Sequence, residues 1–137
     1  MPDKKLAALV ALIILLSLGH GIDHVVRGDF RLQLDTESMP RYAIIVAQYA
    51  ILGFGLYFYL KNKVGPLFWA IVAGIGVVLA WLAHFSPFSE QTPQTIYRAY
   101  ATPAAGAAAV SVLALLMLTL VATAVYSQYL WASRSKP

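Results

Sequence analysis

Two histidines, an aspartate and an arginine stand together at the end of an apolar run, where side chains of these types could bind a cofactor. They lie in the stretch GHGIDHVVR as His20, Asp23, His24 and Arg27. Their spacing of i, i+3, i+4 and i+7 places all four on one face of a helix. Two histidines four residues apart on a helix can bind the same metal ion. The spacing therefore predicts His20 and His24 as a pair of ligands.

The third histidine of the chain, His84, ends another apolar run and is predicted to join this pair. Three imidazoles suit zinc, copper or iron, because each of these ions accepts nitrogen ligands. Asp23 is predicted either to bind the ion directly or to accept the second ring N–H of a histidine. Arg27 is expected to pair with Asp23, since a cation beside a metal ion would repel it. Gln48 and Glu90 are predicted to support the site from outside the ligand set.

Two other interpretations fit the same residues. A b-type haem would take one histidine of the first run and His84 as axial ligands, as in a membrane anchor or electron-transfer subunit. Alternatively, the cluster binds no cofactor: Asp23 and Arg27 form an ion pair, and the histidines bond to loop carbonyls. The chain would then be a structural or assembly subunit of a larger membrane complex. The sequence leaves open whether the protein is an enzyme.

The composition of the chain indicates the medium in which these residues lie. Of 137 residues, 60% are hydrophobic and 12% are charged, whereas a soluble domain is roughly a quarter charged. This difference predicts a lipid bilayer as the surrounding medium, with other membrane subunits or further copies of the chain as possible partners. A formal charge of +4 is too sparse for a nucleic-acid surface. The absence of cysteine excludes disulfides and thiolate metal sites.

Four apolar runs reach the length of about 20 residues that a membrane-spanning helix needs. They cover residues 6–26, 42–60, 65–85 and 103–131. We therefore predict an all-α, polytopic membrane protein: a single domain over residues 1–137, folded as an antiparallel bundle of four transmembrane helices. The uncharged segment 6–18 gives only about 20 Å of helix, less than the hydrocarbon thickness of about 30 Å. The first span must therefore include His20. No charged residue lies at mid-membrane, which argues against a coupled transporter.

Basic residues predict the orientation in the cell membrane. One side would hold most of them and both termini, and this side is predicted to be cytoplasmic. These residues are Lys4, Lys5, Lys61, Lys63, Arg134 and Lys136, against Arg27, Arg31, Arg41 and Arg98 on the other side. The histidines then lie near the outer surface. Two outer connections would cover them: an extended segment over residues 28–40, and a short helix with Thr92 as its cap and Pro93 at its first position.

Overall fold

The computed structural model describes residues 1–29 and 39–134. These residues form helices and connections, with no β-strand among them. The helices are α1 (Lys4–Val26), α2 (Met39–Leu60), α3 (Pro66–His84), α4 (Pro93–Arg98) and α5 (Pro103–Arg134). Most of the predicted extended connection, residues 30–38, lies outside the described part of the chain.

Among the described residues, four helices are long and apolar enough to cross a membrane. These stretches are Lys4–Val26, Tyr42–Leu60, Pro66–His84 and Pro103–Arg134, and they agree with the predicted runs to within a few residues at each end. Only 17–28% of the residues in their apolar windows are buried within the protein. Apolar side chains exposed over so large an area are unusual in a water-soluble monomer. The chain is thus compatible with a multi-pass membrane protein.

The longest helix, α5, organises the packing. It contacts α1, α3 and α4, whereas α2 packs against α1. Small residues allow these approaches: a Cβ at Gly76 in α3 would lie 2.9 Å from Leu120 of α5. The main apolar core combines Trp69 of α3 with Leu6 and Val10 of α1, and all three are fully buried. Since α1 and α3 both pack on α5, that helix fixes their relative position.

Hydrogen bonds also hold the beginning of α1, at the far end from the histidines. Asp3 caps the helix by accepting a bond from the backbone N–H of Leu6 at 2.8 Å. The backbone N–H of Asp3 donates to the hydroxyl of Tyr59 at 2.9 Å, and the hydroxyl of Tyr126 donates to the Asp3 carboxylate at 3.3 Å. These bonds join α1 to α2 and α5, and they limit sliding of α1 along its neighbours.

The short helix α4 forms where the sequence predicted it. The Thr92 side chain accepts a bond from the backbone N–H of Thr95, and Pro93 occupies the first helical position. The end of α4 rests on α5 at Gly106, where an added Cβ would collide with the backbone carbonyl oxygen of Tyr97. Glycine at 106 is therefore required for this close approach. The contact brings the α4–α5 connection over the end of α1.

Candidate metal centre

All three histidines of the chain meet at one point, where the carboxyl-terminal ends of α1 and α3 come together. The Nε2 atom of His20 lies 3.1 Å from Nε2 of His84 and 3.2 Å from Nε2 of His24. One nitrogen from each ring lies within 4.8 Å of the other two. His84 is buried with 6% of its surface exposed, and the side chains of His20 and His24 are 12% and 15% exposed. The three histidines predicted as ligands are thus brought together.

Two of the three separations between the nitrogens match what a metal ion requires. Zinc binds imidazole nitrogen at about 2.0–2.1 Å, so two nitrogens of a tetrahedral site lie about 3.3 Å apart. The Nε2 separations from His20 to His84 and to His24, 3.1 and 3.2 Å, are within about 0.2 Å of that value. An ion bound to His20 and one of the other two rings would therefore need little movement of the protein.

His84 is oriented by the loop that follows α3. In this loop the hydroxyls of Ser86 and Ser89 donate to the backbone carbonyls of Leu82 and Ala83 at the end of the helix. The backbone N–H of Gln91 donates in turn to the Ser89 hydroxyl at 3.0 Å. The chain therefore folds back over the helix end and brings the Gln91 carbonyl 2.8 Å from Nδ1 of His84. A carbonyl only accepts, so Nδ1 of His84 carries the proton and Nε2 presents a lone pair.

His24 is oriented by the way α1 ends. Gly28 has a φ of +78°, and the backbone N–H groups of Gly28 and Asp29 bond to the carbonyls of Val25 and His24. This pattern is a Schellman motif, in which a left-handed glycine reverses the chain after the helix. The reversal brings the Asp29 carboxylate 3.1 Å from Nδ1 of His24. A carboxylate at the second ring nitrogen is the usual partner of a metal-binding histidine.

The Asp23 carboxylate is directed at Arg27 and Tyr100, and not at the point where the three histidine rings meet. Arg27 binds one of its oxygens through Nε at 3.0 Å and Nη2 at 2.9 Å, so the expected ion pair is present. The hydroxyl of Tyr100 donates to the other oxygen at 2.5 Å. Asp23 lies 3.8 Å from Nδ1 of His20, too far for a hydrogen bond. The bond to this carboxylate raises the pKa of Tyr100, because ionisation would destroy it.

Neutral histidines cannot satisfy both Nε2 contacts of His20. Since Nε2 of His84 presents a lone pair, that contact needs a proton on Nε2 of His20. The same proton cannot also serve His24, because a ring N–H points in one direction. If His20 carries no proton there, its lone pair faces that of His84. Every arrangement of neutral rings leaves one contact repulsive, whereas a central cation would be attracted by all three lone pairs.

Some residues around the cluster were not predicted, and two predicted ones lie elsewhere. Asp29, Gln91 and Tyr100 hold the site together. The one local signal was Gly28, two residues after the end of α1, since a glycine at this position marks a helix end and a chain reversal. Gln48 and Glu90 are both exposed. Neither makes a hydrogen bond or ion pair with a histidine within residues 1–29 and 39–134.

Comparisons of the chain with protein-family models, curated proteins and solved structures gave no match. The chemistry of the cluster must therefore be inferred from its own donor atoms. Those atoms are three imidazole nitrogens directed at one point. In two of the rings the other nitrogen faces an oxygen acceptor, which is the Gln91 carbonyl for His84 and the Asp29 carboxylate for His24.

Proposed function

We propose that this chain is an integral membrane protein that binds one transition metal ion near a membrane surface through His20, His24 and His84. The observation that carries the proposal is the convergence of the three Nε2 atoms at 3.1 and 3.2 Å. The hydrogen bond from Nδ1 of His84 to the Gln91 carbonyl supports it, because it directs the Nε2 lone pair of this ring inward. Nδ1 of His24 faces both the Asp29 carboxylate at 3.1 Å and Nη2 of Arg27 at 3.2 Å. Zinc, copper and iron are the candidate ions, since all accept imidazole.

The geometry favours a bare ion over a haem. Axial histidines bind haem iron from opposite faces of a flat macrocycle, which puts their nitrogens about 4 Å apart with the ring between them. The two Nε2 separations of His20 are shorter than this distance. The centroids of the three imidazole rings are 4.6, 4.8 and 5.8 Å apart. Rings packed against each other in this way leave no space for a porphyrin.

We also propose that the four long helices form one antiparallel bundle with both termini in the cytoplasm. The short connection between α2 and α3 supports opposite directions for these helices. The basic residues at the termini and in that connection support a cytoplasmic location. This orientation places the histidines near the outer surface. Single cysteines at Ser38, Asn62 and Ser89 would test it: impermeant labelling from outside should reach positions 38 and 89, and labelling of position 62 would contradict the arrangement.

Metal binding can be tested on the full chain purified without a histidine tag. We expect one zinc, copper or iron ion per chain by elemental analysis, with no Soret band in the visible spectrum. His20→Ala should remove the ion, because it takes away the nitrogen that both other rings approach. Gln48→Ala is the matched control: it removes a polar side chain from a span but leaves the cluster intact, so it should retain full occupancy.

Three results would contradict the proposed function. A Soret band that disappears in His20→Ala would assign the cluster to haem. Equal metal content in the wild type and His20→Ala would place the ion elsewhere. A protein that carries no metal and binds none when metal is added would instead support a structural subunit without a cofactor, and co-purification with other membrane proteins would strengthen that interpretation.

A further inference from the structure

We infer that the metal ion of the proposed function keeps one exchangeable coordination position, and that this position takes a small monovalent anion, hydroxide included. The inference rests on the proposed function, because it concerns the same three ligands. It adds the class of molecule that the centre binds. Two observations carry it: the number and placement of the ligands, and the charges that surround them.

The ligand set is open in the described part of the chain. Within residues 1–29 and 39–134, the group that could hold an ion consists of the three histidines alone. Both oxygens of Asp23 are engaged by Arg27 and Tyr100, and the nearer carboxylate, Asp29, faces Nδ1 of His24 and the Arg27 guanidinium. Structural zinc sites take four protein ligands, whereas sites with three keep a water or substrate in the fourth position. Three converging histidines therefore correspond to the second type.

The charges beside the cluster determine which ligand this position favours. The Arg27 guanidinium lies between two carboxylates, with Nη2 at 2.9 Å from Asp23 and Nη1 at 2.6 Å from Asp29. Among residues 1–29 and 39–134, the one cation and two anions of this group leave a charge of −1, to which three neutral imidazoles add nothing. A divalent ion changes this sum to +1. A monovalent anion at the fourth position restores neutrality, which is strongly favoured where the dielectric constant is low.

Cobalt substitution separates this inference from the proposed function. Co²⁺ has the same ligand preferences as zinc, and its visible bands are strong with four ligands and weak with six. The full chain in lipid nanodiscs is loaded with Co²⁺ and then titrated with sodium azide. We expect strong bands that shift saturably, with one azide per cobalt.

Charge variants test why the anion binds. Asp29→Asn removes one negative charge beside the centre and should tighten azide binding about tenfold. Gln91→Glu adds a negative charge, because its side-chain oxygen already accepts from Arg27 at 2.7 Å, and should weaken binding by a similar factor. Glu90→Gln is the control: it changes the total charge equally, but this exposed side chain does not contact the cluster, so the affinity should stay the same.

Each outcome has a distinct meaning. Cobalt that binds with strong bands that azide does not shift shows a fourth position closed by the protein, and overturns the inference while the metal site stands. Weak bands overturn it as well. Cobalt that fails to bind overturns both proposals. If Asp29→Asn and Gln91→Glu change the azide affinity in the same direction, or by no more than Glu90→Gln does, the charge argument is wrong.

Discussion

Replacing His20 by leucine should change the stability of the metal-free protein little and that of the metal-loaded protein much more. In the metal-free protein, the buried Nδ1 of His20 has no hydrogen-bond partner, and such a group costs about 1–3 kcal/mol. Leucine removes this cost, but it also takes away the partner of Nε2 in the buried His84, which costs about 1–3 kcal/mol. The two effects offset each other, so the free energy of unfolding of the variant should lie within about 2 kcal/mol of the wild-type value.

With metal present, the wild type should gain stability that the variant does not. A ligand at one hundred times its dissociation constant stabilises the folded state by about 2.7 kcal/mol. The wild type gains this amount, whereas His20→Leu has lost the nitrogen at the centre of the cluster and gains little. Unfolding in mixed micelles, followed by helical circular dichroism with a chelator or with added zinc, measures both differences.

Gln48→Leu is the matched control for this experiment. It also replaces a polar side chain of a long apolar helix by leucine, but Gln48 is exposed and makes no hydrogen bond with a histidine in the described part of the chain. Zinc should stabilise this variant as much as the wild type. Two results would refute the reasoning: equal stabilisation of His20→Leu by zinc, or a metal-free His20→Leu protein several kcal/mol less stable than the wild type.

Three further predictions follow from the contacts around the site. Gly28→Ala should cost about 1–2 kcal/mol of unfolding free energy, because alanine is strained at a φ of +78°; it should also weaken zinc binding by displacing Asp29. Gly65→Ala is its control. An added Cβ would meet no atom at position 28 or at position 65, but the φ of Gly65 is −102°, so alanine is not strained there. Gly106→Ala should cost about 1–3 kcal/mol through its collision with α4, measured by thermal unfolding. Tyr100→Phe should lower the melting temperature at neutral pH. The deficit should begin to shrink as the pH rises past about 10, where tyrosine ionises in the unfolded chain, and it should be lost as the pH passes the raised pKa of Tyr100 in the folded protein.

The helices of this protein could be predicted from local sequence. The length and apolarity of each run require a helix that satisfies its own backbone groups in lipid. The cap at Thr92 and the prolines at 93 and 103 act within one turn of themselves, so they too are visible in the sequence. The spacing of His20 and His24 is equally local, because residues four apart always share a helix face.

The surroundings of the histidines were decided by the tertiary structure. His84 contacts His20 of α1, which is 64 residues away in sequence. Gln91 contacts Arg27, also 64 residues away. Tyr100 is 77 residues from Asp23. Contacts of this kind depend on how α1 and α3 pack against α5 and on the path of the loop after α3, and no short-range pattern records either. Helix geometry fixes which side chains of α1 point the same way, but only the packing of the helices against each other decides what those side chains contact.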